Sequence, residues 1–250
     1  MHEFLLLIAA GLVAGAMNAV AGGGTFVAFP AMVLVGVPSV PANASNTVGL
    51  FPGILASVFA YRNDARGFEG VSLKSLIIIS LVFGFFGGLL LLSTPSPVFD
   101  EIVPWLLLVA TLTFAFGQRV GVWLRQRVRI KARTLLVSQA ILSIYAGYFG
   151  GGVGIMTMAT WSLMVDADIK QLSPTRMMTV AAGNAAAVLS FIIAGQVRWP
   201  QTLCLLVGSV FGGYVGARIA RKAPAPVLRA AVIVIAVSMT AVFFYRAFSS

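Results

Sequence analysis

From residue 4 to residue 245 the chain is a succession of ten apolar runs, at 4–20, 25–37, 46–61, 71–92, 98–116, 134–149, 153–165, 174–194, 201–220 and 226–245. With 59% hydrophobic and 10% charged residues and a mean hydropathy of +0.98, against about 25% charged in ordinary soluble domains, the chain is made for lipid. The expected fold is an all-α integral membrane protein.

Two interruptions organise the runs. Gly22-Gly23-Gly24 parts the first run from the second, and Gly150-Gly151-Gly152 parts the sixth from the seventh. The same 128-residue offset carries Val82, Phe83, Gly84 and Gly88 onto Val210, Phe211, Gly212 and Gly216. One such motif is explained by glycines that let helices pack closely; two in register argue for duplication. A full span needs about 20 apolar residues, and the runs beside each triple glycine fall at or below that length. Each pair reads as a hairpin or broken helix, a device of secondary transporters built from repeats. Irregular backbone is tolerated at membrane depth only where protein or water meets it, so the turns are expected to line a cavity. The predicted layout is two repeats, each a glycine-broken helical hairpin followed by three transmembrane helices.

Positive charge sets the orientation. Arg119, Arg125, Arg127, Arg129, Lys131 and Arg133 lie between the halves without an acid, which makes residues 118–133 a basic cytoplasmic linker between a first membrane repeat, 1–117, and a second, 134–250. Asp100 and Glu101 then fall outside, and Arg62 and Arg66 inside. Only an inverted second half also brings Arg218, Arg221, Lys222 and Arg229 inside. Inversion leaves Arg198 and Arg246 on the outer face, and parallel repeats of four spans are the alternative. The net charge of +10 would suggest nucleic acid in a soluble protein; here arginines beside spans account for it through orientation and anionic headgroups. Met1-His2-Glu3 lacks the basic start of a secretory signal.

The apolar runs also exclude chemistry. All seven acids (Glu3, Asp64, Glu69, Asp100, Glu101, Asp166 and Asp168) fall in or beside loops, and the one histidine is His2. Proton relays and cation sites depend on intramembrane Asp, Glu or His, so cation pumping is disfavoured. Cys204 is alone, which removes a dithiol relay, and no His or Cys cluster offers metal ligands; no cofactor is implied. A membrane-embedded enzyme lacks a nucleophile with a base, and a scaffold lacks an exposed domain. An anion is the substrate this inventory permits. The chain leaving each triple glycine starts a helix, at Thr25 and Val153, whose first N–H groups have no intrahelical partner and bind oxyanions without a basic side chain.

Ala21-Gly-Gly-Gly with Phe29-Pro30, Gly36-Val37-Pro38 and Ala44-Ser45-Asn46-Thr47, answered by Gly147-Tyr-Phe-Gly-Gly-Gly152, resembles the sulfite exporter TauE/SafE family over essentially the whole chain. Ser173-Pro174-Thr175-Arg176 departs from the Ala-x-x-Thr-Ser-like segment such proteins tend to have there. The resemblance implies movement of a sulfur-containing anion, such as sulfite or an organosulfonate, and the expected function is its export by a multi-pass protein of a bacterial inner membrane. Organosulfonate or carboxylate uptake is the alternative, and a homodimer is compatible with the reading.

The expected substrate-binding residues are Gly22, Gly23, Gly24, Thr25, Asn46, Thr47, Gly150, Gly151, Gly152, Val153, Thr175 and Arg176, with no catalytic residue. Arg176 is expected to open a helix after Pro174 and to present a fixed charge, the competing role being an arginine that snorkels to the interface. Asn46 and Thr47 hold the corresponding helix start, with N-capping as the competing role. Asn18 and Asn184 need partners inside apolar runs. Tyr145 and Tyr148 read as packing or interfacial residues, and Trp105, Trp123, Trp161 and Trp199 as interface anchors.

Overall fold

The computed structural model describes residues 2–125, 132–165, 169–220 and 225–248. Arg127, Arg129, Lys131, Asp166, Asp168, Arg221 and Lys222 lie outside the described residues, as do the side chains of Arg119, Trp123, Arg125 and Arg229. Ten helices are described, one for each apolar run: α1 (His2–Ala21), α2 (Thr25–Leu34), α3 (Ser39–Tyr61), α4 (Leu73–Ser93), α5 (Ser96–Arg125), α6 (Ala132–Tyr148), α7 (Val153–Met164), α8 (Ile169–Ile193), α9 (Trp199–Ala220) and α10 (Ala225–Phe248). Among the described residues there is no strand, only a bridge between Phe68 and Val71. Five helices are long and apolar enough to cross a membrane by length and composition. With 10 residues, α2 reaches only about 15 Å at 1.5 Å per residue.

Two boundaries differ from expectation. Helix α3 begins at Ser39 rather than near 46, and α8 at Ile169 rather than at 174. Hydropathy misses these first turns because of their polar residues: Ser39, Asn43 and Ser45 in α3, which are buried against protein rather than lipid, and Gln171 and Ser173 in α8. Asn46 and Thr47 are therefore in the second and third turns of α3 and do not cap it, and Arg176 lies in the second turn of α8 with Pro174 inside the helix. Helix α5 continues to Arg125, into the basic segment.

Glycine seams fix the helix directions. A Cβ on Gly11 would collide with the Leu205 carbonyl oxygen, one on Gly212 with Leu12, and one on Gly216 with Ala16; rising numbers on both sides mean that α1 and α9 run side by side in the same direction. Gly84 abuts Gly183, Gly88 abuts Ala187, and Gly147 abuts Gly84, so α4, α6 and α8 share a direction too. By contrast α5 and α10 are antiparallel, since Thr111 bonds Thr240 at 3.1 Å while Trp105 meets Phe244 at a centroid distance of 5.1 Å. Helices α3 and α8 are antiparallel as well. The Arg66 N–H beyond the end of α3 donates to Thr175 Oγ1 at 2.9 Å, and the Arg198 N–H beyond the end of α8 donates to Ser45 Oγ at 2.8 Å.

Two apolar clusters hold this frame. Phe68, Val71, Leu76, Leu135, Trp161 and Leu172 close the end that carries Arg62, Arg66 and Arg133. Trp161 is fully buried there, not an interface anchor; Trp105 and Trp199 are about half exposed, at 54% and 49%. The larger cluster centres on Phe29, whose ring meets those of Phe99, Phe149 and Phe243 at 6.2, 5.8 and 5.5 Å. It joins α2, α5, α10 and the turn after α6, and so fixes the second triple glycine in place.

Candidate functional site

Each triple glycine opens with a left-handed residue, Gly22 at φ +77° and Gly150 at φ +74°, a conformation that glycine adopts without the clash a Cβ brings. These residues end α1 and α6 by accepting no further helical turn: the Gly22 N–H returns to Met17 O and Asn18 O, and the Gly150 N–H to Tyr145 O. The chain then reverses and starts α2 at Thr25 and α7 at Val153, the two residues expected from sequence. Neither helix has a side-chain N-cap on its Ncap residue. Gly152 faces Ala110, midway along α5, and the ring of Phe26 stands 3.8 Å from where a Gly152 Cβ would lie and 3.4 Å from where a Gly23 Cβ would lie. One phenyl ring thus separates the two turns.

The turns differ in how many donors they leave over, the first leaving the Gly23 and Thr25 N–H groups without an acceptor among the described residues. At the first, Asn18 Oδ1 accepts the Gly24 N–H at 2.8 Å, and the Phe26, Val27 and Ala28 N–H groups return to the carbonyls of Gly23 and Gly24. Asn18 has thus found its partner in its own turn. At the second, the Val153 N–H makes a long bond to Gly150 O, 3.3 Å, and Ile155 and Met156 return to Gly152 O. The N–H groups of Gly151, Gly152 and Gly154 meet no acceptor among the described residues, and all three glycines are buried. Buried backbone N–H groups are rarely left so.

Neighbouring helices hold the carbonyls of this second turn. Tyr145 donates its hydroxyl to Gly151 O at 2.8 Å, which makes it a support of the turn rather than mere packing. Asn43 Nδ2 reaches Tyr148 O at 2.9 Å from α3, and Arg176 Nη1 reaches Gly154 O at 3.0 Å from α8. Asn184 Oδ1 lies 3.5 Å from where a Gly150 Cβ would stand, while its Nδ2 bonds Val180 O within α8. With the carbonyls engaged from outside, the free N–H donors sit beside the one guanidinium that the described residues place at a triple-glycine turn.

Of the expected residues, the structure gathers Gly150, Gly151, Gly152, Val153 and Arg176 at one turn. Asn46 lies on the face of α3 that carries Asn43, three residues on; it is 1% exposed, and both of its amide atoms lack a partner. Gly22, Gly23, Gly24 and Thr25 form the other turn, across Phe26. Thr47 bonds Asn43 O within its own helix at 2.8 Å. Thr175 engages Arg66 twice, accepting its N–H and donating to its carbonyl at 2.7 Å. Sequence reading missed Asn43, whose partner is 105 residues away; no local spacing signals that pairing. No group of His, Cys, Asp and Glu among the described residues is arranged to hold a metal ion.

Comparison with known proteins agrees with this architecture. A Haemophilus influenzae protein named a probable membrane transporter protein is 30% identical over 247 residues, covering 96% of this chain and 94% of the relative. A Sinorhizobium protein, probable membrane transporter protein ORF9, is 26% identical over 243 residues, 95% of this chain and 91% of its own. The probable membrane transporter protein YfcA of Escherichia coli K12 is 24% identical over 235 residues, 94% and 87% respectively. The family pattern described as sulfite exporter TauE/SafE matches residues 7–243. Near-full-length agreement with that pattern, on a chain of apolar helices folded around two glycine turns, means that this protein belongs to the sulfite exporter TauE/SafE family of multi-pass membrane transporters.

Proposed function

We propose that this transporter exports a small sulfur-containing oxyanion, sulfite or a close relative, and that the anion is received at residues 150–154 beside Arg176 and Asn46. The observation that carries the reading is the set of three buried N–H donors, on Gly151, Gly152 and Gly154, beside the Arg176 guanidinium. Such a set suits an oxyanion, because helix-end donors and a fixed positive charge act in the same direction. Under an inside-negative potential, outward movement of an anion is favoured by about 2.3 kcal/mol per unit charge per 100 mV. Export therefore needs no carboxylate relay, and the described acids are all exposed.

Alternating access is supported by pairs of contacts that repeat between the halves. Thr111 and Thr240, 129 residues apart, meet each other. The bond from Arg66 to Thr175 is matched by the bond from Arg198 to Ser45. Helix α1 lies along α9 as α6 lies along α4. Antiparallel packing of α3 on α8 and of α5 on α10 is what a two-fold axis in the membrane plane produces, whereas an axis along the membrane normal keeps equivalent helices parallel. Inverted repeats rocking about the central turns give one site two exits.

The test is flux from proteoliposomes loaded with sulfite, sulfate, taurine or acetate. Sulfite efflux that accelerates when the lumen is made negative is the expected result. Absence of sulfite flux at any potential, with acetate or taurine moving instead, overturns the assignment in favour of a carboxylate or organosulfonate carrier.

A further inference from the structure

Asn43 holds a second piece of information about the ligand, which rests on the site assigned above. It is fully buried in the first turns of α3. Its amide orientation is not free: Tyr148 O accepts a hydrogen bond at 2.9 Å, so the atom facing it must be the nitrogen. That leaves Oδ1 as a fixed, buried acceptor, and it has no donor among the described residues. Asn46, one turn further along the same face, adds a second buried amide whose oxygen and nitrogen both lack partners. Because Tyr148 stands two residues before Gly150, the Asn43 face is the wall of α3 turned toward the glycine turn.

The two walls are chemically different. The glycine turn offers N–H donors, which an anionic oxygen satisfies. Asn43 Oδ1 offers only lone pairs, which an anionic oxygen repels and an O–H or N–H hydrogen satisfies. The geometry points to Asn43 as a specificity residue that selects oxyanions bearing their own hydrogen-bond donor: a singly protonated oxyanion, or a sulfonate with a hydroxyl group beside it. Methyl-for-donor analogues of the same charge leave Oδ1 buried and unpaired, a penalty large enough to set binding apart by about tenfold.

The experiment measures binding to the purified full-length transporter in nanodiscs for two matched pairs, hydrogensulfite against methanesulfinate at mildly acid pH, and isethionate (2-hydroxyethanesulfonate) against propane-1-sulfonate. In each pair a methyl replaces the donor without changing the charge. The expected result is about tenfold tighter binding of the donor-bearing member in at least one pair, with the pair naming the source of the donor. Asn43→Leu should bring that ratio to within about twofold of unity while the methyl analogue still binds. A purely structural role for Asn43 would weaken both members alike and leave the ratio unchanged, which overturns the proposal. If Asn43→Leu does not insert, Asn43→Ser, whose shorter side chain withdraws the acceptor, reads the same ratio. Wild-type protein that binds both members of both pairs equally overturns the selectivity alone. Failure to bind any of the four anions overturns the oxyanion site itself.

Discussion

Arg176 separates the two ways an arginine serves a membrane protein. As a ligand it offers a planar fork to the anion while Nη1 stays on Gly154 O at 3.0 Å; as an orientation signal it offers only charge. Arg176→Lys keeps the charge and loses the fork, so sulfite affinity should fall by about tenfold or more, and Arg176→Gln should fall at least as far. Equilibrium binding decides it: near wild-type affinity in both variants removes Arg176 from the site. Glycine 151 tests the turn itself. A Cβ there would stand 2.6 Å from Phe149 Cε1, overpacking of a kind that costs about 1–3 kcal/mol. Gly151→Val should abolish flux while the protein still inserts, whereas Gly53→Val, where nothing lies within 4 Å of the added carbon, should transport normally. Transport by Gly151→Val at the wild-type rate would dismiss the turn as the site. At this scale the sequence disclosed what depends on neighbouring residues: helices begin at Thr25 and Val153. It hid Asn43 and Tyr145, because an amide or a phenol in an apolar run gains its meaning from a carbonyl that only the tertiary fold delivers.

Helices α3 and α8 each carry a hydroxyl near their start that grips the backbone just past the end of the other. Ser45 holds the Arg198 N–H, and Thr175 holds both the N–H and the carbonyl of Arg66. The clasps sit at opposite ends of an antiparallel pair, so opening one end of the bundle strains one clasp and spares the other. Interhelical hydrogen bonds in membranes contribute about 0.6 kcal/mol, up to about 1.7, enough to shift a two-state equilibrium several-fold without unfolding the protein. Thr175→Val should therefore favour opening at the Arg66 end and Ser45→Ala opening at the Arg198 end. Thiol labelling of single cysteines near each clasp, in a Cys204→Ser background, should rise at the weakened end and fall or hold at the other. Equal increases at both ends in either variant would mean that the hydroxyls only brace the loops. Helix positions were readable from hydropathy, but the first turns of α3 and α8 were not. Hydropathy reports contact with lipid, and the polar residues in the first turns, such as Ser45 and Thr175, meet the backbone past the end of the partner helix.

The order of the ten helices was legible from apolar runs alone, and two motifs in one register argued for a duplication. How the halves pack was not, since α1 lies along α9 and α6 along α4, partners far apart in sequence and united by glycine seams that also occur in bundles without repeats. Charge gave the one whole-chain argument for inversion, and antiparallel packing of α3 on α8 and α5 on α10 now supplies an independent one. Both turn on where two loops emerge. In inverted repeats the loop after α3 and the loop after α8 open on opposite faces, because an odd number of crossings precedes the second half and its equivalent helices run the other way. In parallel repeats they open on the same face. Asp64 and Gln196 mark these loops, Asp64 exposed and Gln196 partly so. Single cysteines at these positions, without Cys204, should divide cleanly in intact cells: Gln196→Cys reacting with a membrane-impermeant thiol reagent, and Asp64→Cys protected until the membrane is opened. Labelling of both from outside, or of neither, would reject the in-plane two-fold and the two-exit mechanism that follows from it. The divided pattern would place Arg62, Arg66 and the basic segment between α5 and α6 together on the cytoplasmic face, where the positive charge of the chain is expected to lie.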